Sequence, residues 1–124
     1  MDQNKFGFEL LHVGLNQSGA EEGTATAMRM AELFGFPLRE TDGSWFANEQ
    51  FEIMKKPFRG THGHFAIGTN DAGTARAWLE SKGIRFDEST AQYGEDGKLK
   101  LIYSSDEIGG FAFHLTQKSE QEMI

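Results

Sequence analysis

The strongest constraint in this sequence is that one order of structural signals runs through it twice. Residues 6–16 (FGFELLHVGLN) alternate as a strand, with Leu11, Val13 and Leu15 on one face and Leu10, His12, Gly14 and Asn16 on the other. Ser18, with Glu21 three residues on, reads as the capping box of a helix that carries Ala27, Met28, Ala31, Leu33 and Phe34. Gly35 and then Pro37 supply its stop. Short strands are predicted at 38–41, 45–48 and 51–55, the first two separated by an Asp42-Gly43 turn. The order then repeats. Residues 64–69 form a strand, Asn70 or Asp71 caps a helix carrying Ala75, Trp78 and Leu79, and Gly83 ends it. A short strand at 84–86, a loop at 87–95, and strands at 99–103 and 111–117 complete the second pass, with turns at Asp96-Gly97 and 106–110. The polar end SEQEMI reads as a frayed tail or a last half-turn of helix.

A recurrence at about half the chain length is the mark of an internal duplication. It predicts an α+β fold of two βαβββ units, unit one at about 6–56 and unit two at about 64–117. The 124 residues make one domain of ordinary size, 1–124, rather than two. A net charge of −7 argues against nucleic acid and against an anionic membrane surface as partners, since both need a cationic face. No apolar run approaches the roughly 20 residues that span a bilayer, and the start MDQNKFGF lacks a signal-peptide pattern. These features place the chain in the cytoplasm. With no cysteine, any metal must sit on histidine and carboxylate.

The chemistry is carried by three of the four histidines and one glutamate. His12 lies in the first strand of unit one and His64 in the first strand of unit two. His114 lies in the last strand of unit two, and Glu52 holds the matching place in the last strand of unit one. His12, Glu52 and His114 lie between bulky neighbours, and His64 stands beside Phe65 on the face opposite Phe65 and Ile67, so if the bulky residues face the helices, the four face away from them. A lone strand histidine is more often a hydrogen-bonded structural group than a ligand. Two such residues per unit at matched positions point instead to a shared metal centre. Imidazole and carboxylate suit Zn(II), Ni(II), Fe(II), Co(II) or Mn(II). Gly14, Ala66, Gly68 and Ala112 are small and leave room on that face. His62 has no counterpart and reads as a loop residue or as a donor behind the ligands. Trp45, Met54, Tyr103 and Phe113 are candidate pocket walls. Lys55, Lys56 and Arg59 form a cationic stretch that either solubilises a loop or meets an anionic substrate.

The segments LLHVGL, FEIM, GHFAIGTNDAGTARAWLESKGIRF and GGFAFHLTQK resemble the four ligand-bearing regions of the vicinal-oxygen-chelate superfamily, which holds glyoxalase I, bleomycin-resistance proteins and extradiol dioxygenases. The resemblance covers nearly the whole chain. It implies curled mixed sheets around a metal-binding cleft with helices outside, and it carries His12, Glu52 and His64 onto the first three ligands of the glyoxalase I pattern. The fourth position departs: His114 stands where glyoxalase I and the dioxygenases carry glutamate. The chain also resembles the glyoxalase-like domain associated with 2-keto-3-deoxy-6-phosphogluconate aldolases, which implies a sugar-acid or 2-oxo-acid substrate.

The resemblance implies a metal-dependent lyase or isomerase that chelates two oxygens of a small oxo- or hydroxy-compound, with Glu52 or His114 as the proton-moving group. With His114 in place of the usual glutamate, lactoylglutathione lyase activity is expected to be weak or absent. The alternatives are a non-catalytic ligand-binding protein of the resistance type and an accessory domain of a sugar-acid aldolase. The resemblance further implies a homodimer whose cleft takes His12 and Glu52 from one chain and His64 and His114 from the other, unless both units close one cleft within a chain.

Overall fold

The computed structural model describes residues 3–122. After a 3-10 turn at Gln3–Phe6, the chain runs β1 (Glu9–Leu15), α1 (Ala20–Phe34), β2 (Leu38–Glu40), β3 (Ser44–Ala47) and β4 (Phe51–Met54). It then runs β5 (Gly63–Thr69), α2 (Ala72–Ser81), β6 (Phe86–Tyr93), β7 (Leu99–Ser104) and β8 (Phe111–Gln117), with a short 3-10 turn at Glu120–Glu122. The order strand, helix, three strands therefore occurs twice, as the sequence predicts.

All eight strands join one open mixed sheet in the order β2-β3-β4-β1-β5-β8-β7-β6. In each half the first and last strands lie side by side and parallel: β1 with β4, and β5 with β8. The halves meet where β1 pairs antiparallel with β5, Val13 opposite Phe65. That pairing is a local two-fold axis. It carries residue i of β1 onto i + 52 of β5, so that His12 maps to His64 and Gly14 to Ala66. Through the parallel registers Gly14↔Glu52 and Ala66↔His114 it also maps Glu52 onto His114.

Strand alternation then separates two faces. Phe51, Val13, Phe65 and Phe113 form one row across β4, β1, β5 and β8. That row faces the helices: Ile53 packs with Ala27 of α1, and Phe113 and Leu115 pack with Ala72 and Ala75 of α2. Gly23 lets α1 approach closely, because a Cβ there would lie 2.9 Å from the Met54 carbonyl oxygen. Phe6 is buried against Trp78, centroids 5.6 Å apart, so the first strand begins only at Glu9 and not at residue 6.

Two further expectations are corrected. Ser18 does not cap α1. Gly19 occupies the N-cap in an extended conformation with no side-chain hydrogen bond, which leaves Ser18 one residue outside and the Glu21 capping box unformed. Residues 87–95 are not a loop and 84–86 not the strand: β6 covers Phe86–Tyr93. Its polar composition and slipped register against β7, where Asp87 faces Tyr103 but Gln92 faces Leu101, suit a sheet edge and hide it from a pattern search. Asp71 does cap α2, accepting from the Thr74 N–H at 3.0 Å. The terminal half-turn is seen at Glu120–Glu122, while Met123 and Ile124 lie outside the described residues. No helix among the described residues is long and apolar enough to cross a membrane.

Because only Asp71 makes a capping hydrogen bond, D71A should cost about 1 kcal/mol in urea unfolding and S18A less than half as much. Equal losses would contradict the observed caps.

Candidate metal centre

The face opposite the helices carries the chemistry. His12 pairs across the sheet with Ala66, and Ala66 with His114; Glu52 pairs with Gly14, and Gly14 with His64. Each pair of functional side chains is thus separated by a small residue on the strand between, and the side chains lean together over it. Gly14 is required for this. A Cβ there would lie 2.2 Å from the His64 ring, so the imidazole occupies the space of the missing side chain.

The result is a compact cluster. Ligand-capable atoms of His12, His64 and His114 lie within 4.8 Å of one another, and the three ring centroids are 5.5–5.6 Å apart. Glu52 Oε1 stands 3.4 Å from His12 Nε2 and 3.2 Å from His64 Nε2, on their side of the cluster. Those separations are within ion-pair range, yet His12 Nε2 and both His64 ring nitrogens are buried without a hydrogen-bond partner. Buried polar atoms left in that state cost about 1–3 kcal/mol each. Three orphaned nitrogens converging beside a carboxylate fit a divalent cation, whose bonds to imidazole of about 2.0–2.1 Å would satisfy them. Supporting hydrogen bonds hold the donors. Ser44 Oγ donates to Glu52 Oε2 at 2.9 Å, and His114 Nδ1 lies 2.7 Å from Thr116 Oγ1. With the proton on Nδ1, His114 turns its Nε2 lone pair to the centre.

All four predicted residues come together within a single chain. The expected division of the cleft between two subunits is therefore not what the fold builds. The pocket walls differ as well. Tyr103 is in place, its ring 4.9 Å from His114 and paired opposite it on β7. Trp45 and Phe113 are on the helix face: Trp45 donates to Thr24 of α1 at 3.0 Å, and Phe113 belongs to the α2 core. Met54 shares the Glu52 face but lies along the strand, opposite Ser44. The remaining walls are Phe46, centroid 5.5 Å from His12, and Phe58, 6.0 Å from His64, which the sequence reading missed. Phe46 sits directly opposite Glu52 in the β3–β4 register, so strand parity contained the signal. The His62 ring lies 5.8 Å from Phe111, outside the cluster.

Burial and the other two histidines depress His114 to about 3, against a smaller opposing effect of Glu52, so it is neutral at physiological pH. Burial pushes the Glu52 carboxyl up, but His12, His64 and Ser44 together outweigh it and hold the group well below the ordinary carboxylate range. Burial and the Glu52 charge raise Tyr103 to about 12 despite Arg59, which keeps its phenol protonated. Between pH 6.5 and 3 an unfolded histidine binds a proton that folded His114 refuses, so stability is complete above 6.5 and falls as pH drops. Metal-free protein should lose on the order of 1–2 kcal/mol between pH 7 and pH 5 by urea unfolding. H114Q should flatten that slope.

The family model described as the Glyoxalase/Bleomycin resistance protein/Dioxygenase superfamily matches residues 3–112. Among solved structures, hypothetical protein BH1468 from Bacillus halodurans C-125 is similar at 14% identity and TM-score 0.61, over 94% of this chain and 99% of that one. A methylmalonyl-CoA epimerase in complex with methylmalonyl-CoA and NH4+ is similar at 18% identity and TM-score 0.59, over 93% and 97%. The methylmalonyl-CoA epimerase from Mycobacterium tuberculosis is similar at 18% identity and TM-score 0.57, over 90% and 89%. At these identities the structures speak for the fold. No curated protein matches the chain in sequence. With the fold, the duplicated order of elements and a family match over most of its length in agreement, the chain belongs to the glyoxalase/bleomycin resistance protein/dioxygenase superfamily.

Proposed function

We propose that this chain is a metal-dependent glyoxalase-like enzyme, a lyase or isomerase acting on a small oxo- or hydroxy-compound of the sugar-acid type. It works as one domain of two βαβββ units. His12, His64, His114 and Glu52 hold a divalent ion of the Zn, Ni, Fe, Co or Mn class. The observation that carries this reading is the convergence of three imidazoles beside one carboxylate, with three ring nitrogens of His12 and His64 lacking any hydrogen-bond partner. When bound, such an ion polarises two vicinal oxygens of a substrate as a Lewis acid.

The chain's own groups divide the remaining work. Glu52 is anionic and tied through Oε2 to Ser44, leaving Oε1 toward the centre to accept a substrate proton. His114 is the second candidate for proton transfer. Its Nδ1 is engaged by Thr116, so it serves more readily as a fixed donor to the ion than as a base. Tyr103 stays protonated and presents a hydrogen-bond donor beside His114. Phe46 and Phe58 limit water around the cluster. With all four residues in one chain, this reading needs no second subunit.

Purified protein loaded with Zn(II), Co(II) or Mn(II) should bind one ion per chain by elemental analysis. H64A should weaken binding by more than about 100-fold, and G14A, which pushes the His64 ring aside, by about 10- to 100-fold. Unchanged stoichiometry in H64A would remove the proposal. With methylglyoxal and glutathione, turnover should fall well below an ordinary enzyme rate of about 10 per second, and H114E should raise it.

A further inference from the structure

The loop between β4 and β5 carries Phe58 and Arg59 against the metal-centre face, and it is built rather than loose. Asn16, the residue that follows β1, donates through Nδ2 to the carbonyls of Phe58 at 3.3 Å and Gly60 at 3.0 Å. Its Oδ1 accepts the Phe58 N–H at 3.1 Å. Gly60, at φ +86°, lets the loop close on the sheet, since a Cβ there would lie 1.8 Å from the Gly63 carbonyl oxygen. The loop therefore delivers Arg59 to one place. Its guanidinium carbon stands 5.4 Å from the Tyr103 ring centroid, and that ring lies 4.9 Å from His114 and 6.0 Å from His64.

Two other cations near this face, Lys55 and Arg39, are already engaged. Lys55 donates to Glu40 at 2.6 Å and to the Thr41 carbonyl at 2.8 Å. Arg39, 4.4 Å above the Phe46 ring, gives Nε and one amine to both oxygens of Glu49. Arg59 makes one hydrogen bond among the described residues, from a single amine to Asp87 Oδ2 at 2.9 Å. Asp87 and Tyr103 thus hold the guanidinium plane while most of its N–H fork remains available for a planar anion. A guanidinium so fixed loses little conformational freedom on binding, and its bidentate geometry suits a carboxylate.

We propose that Arg59, seated on Tyr103 and positioned by Asn16 and Asp87, is the specificity-determining residue of the site. It reads a carboxylate that the substrate carries in addition to its two chelating oxygens. The substrate class is then an oxo- or hydroxy-acid with a second anionic group a few bonds from the chelating pair. This inference rests on the metal-centre reading above.

The test uses zinc-loaded protein and two hydroxamates, each of which chelates through vicinal oxygens: acetohydroxamate, and succinic monohydroxamate with its added carboxylate. Zinc uptake is measured first, then each dissociation constant by calorimetry. The wild type should bind the carboxylate-bearing probe at least about tenfold more tightly. R59M should abolish that preference while leaving zinc uptake and acetohydroxamate affinity unchanged, R59K should restore only part of it, and N16A should reduce it. Equal affinities in the wild type, or a preference that survives in R59M, would overturn the inference alone. Failure to take up zinc would overturn the metal-centre reading and this inference with it.

Discussion

The face that carries the candidate metal centre depends on the backbone pairing of β1 with β5. That antiparallel seam sets Val13 opposite Phe65, and from this register every functional side chain follows. Side chains alternate with a period of two, so a slip by one residue would send His12 and His64 toward the helices and Leu11 and Phe65 toward solvent. The apolar row that α1 and α2 cover penalises any such slip, because Phe51, Val13, Phe65 and Phe113 would all leave it together. The hydrophobic face thus fixes the geometry of the polar one on the other side of the sheet.

The polar face is costly in itself. His64 is 1% exposed and His114 5%, and neither ring nitrogen of His64 has a hydrogen-bond partner. A sequence that kept these groups for stability alone would do better with apolar residues of similar volume. Their arrangement is better understood as stability given up to hold an unsatisfied donor set in place, with packing on the opposite face offsetting the loss. Gly14 belongs to the same exchange: it packs poorly as a strand residue and is kept because His64 stands where its side chain would be.

Strand parity made much of this readable from the residues. His12, Glu52 and His114 each sit between bulky neighbours and His64 beside Phe65, and alternation alone places them on one face. The Asp71 cap was equally legible, because an aspartate before a run of helix formers has few other uses. What escaped did so for physical reasons. Phe113 cannot share a face with His114 beside it, so its large ring belongs to the core and not to the pocket. Trp45 stands in the same relation to Phe46, which faces the site in its place. Ser18 and Gly19 are both acceptable caps, and local sequence does not choose between them. β6 is a polar edge strand whose partner, not its composition, makes it a strand. Phe58 reaches the centre only because Asn16 folds its loop back over the sheet, a contact more than forty residues long in sequence.

The local two-fold axis relates the ligands but not their surroundings. His64 is closed in by Gly14, Phe58 and Tyr103, whereas His12 and Glu52 are each 18% exposed on the other side. Glu52 and His114 also occupy equivalent positions with different charge. A fully symmetric centre would present the same environment to both faces of a flat carbon atom. This one sets an anionic carboxylate with access to solvent on one flank and a neutral imidazole behind aromatic walls on the other. The duplicated halves have thus diverged around the cluster, so that a flat carbon atom held there would meet a different environment on each face.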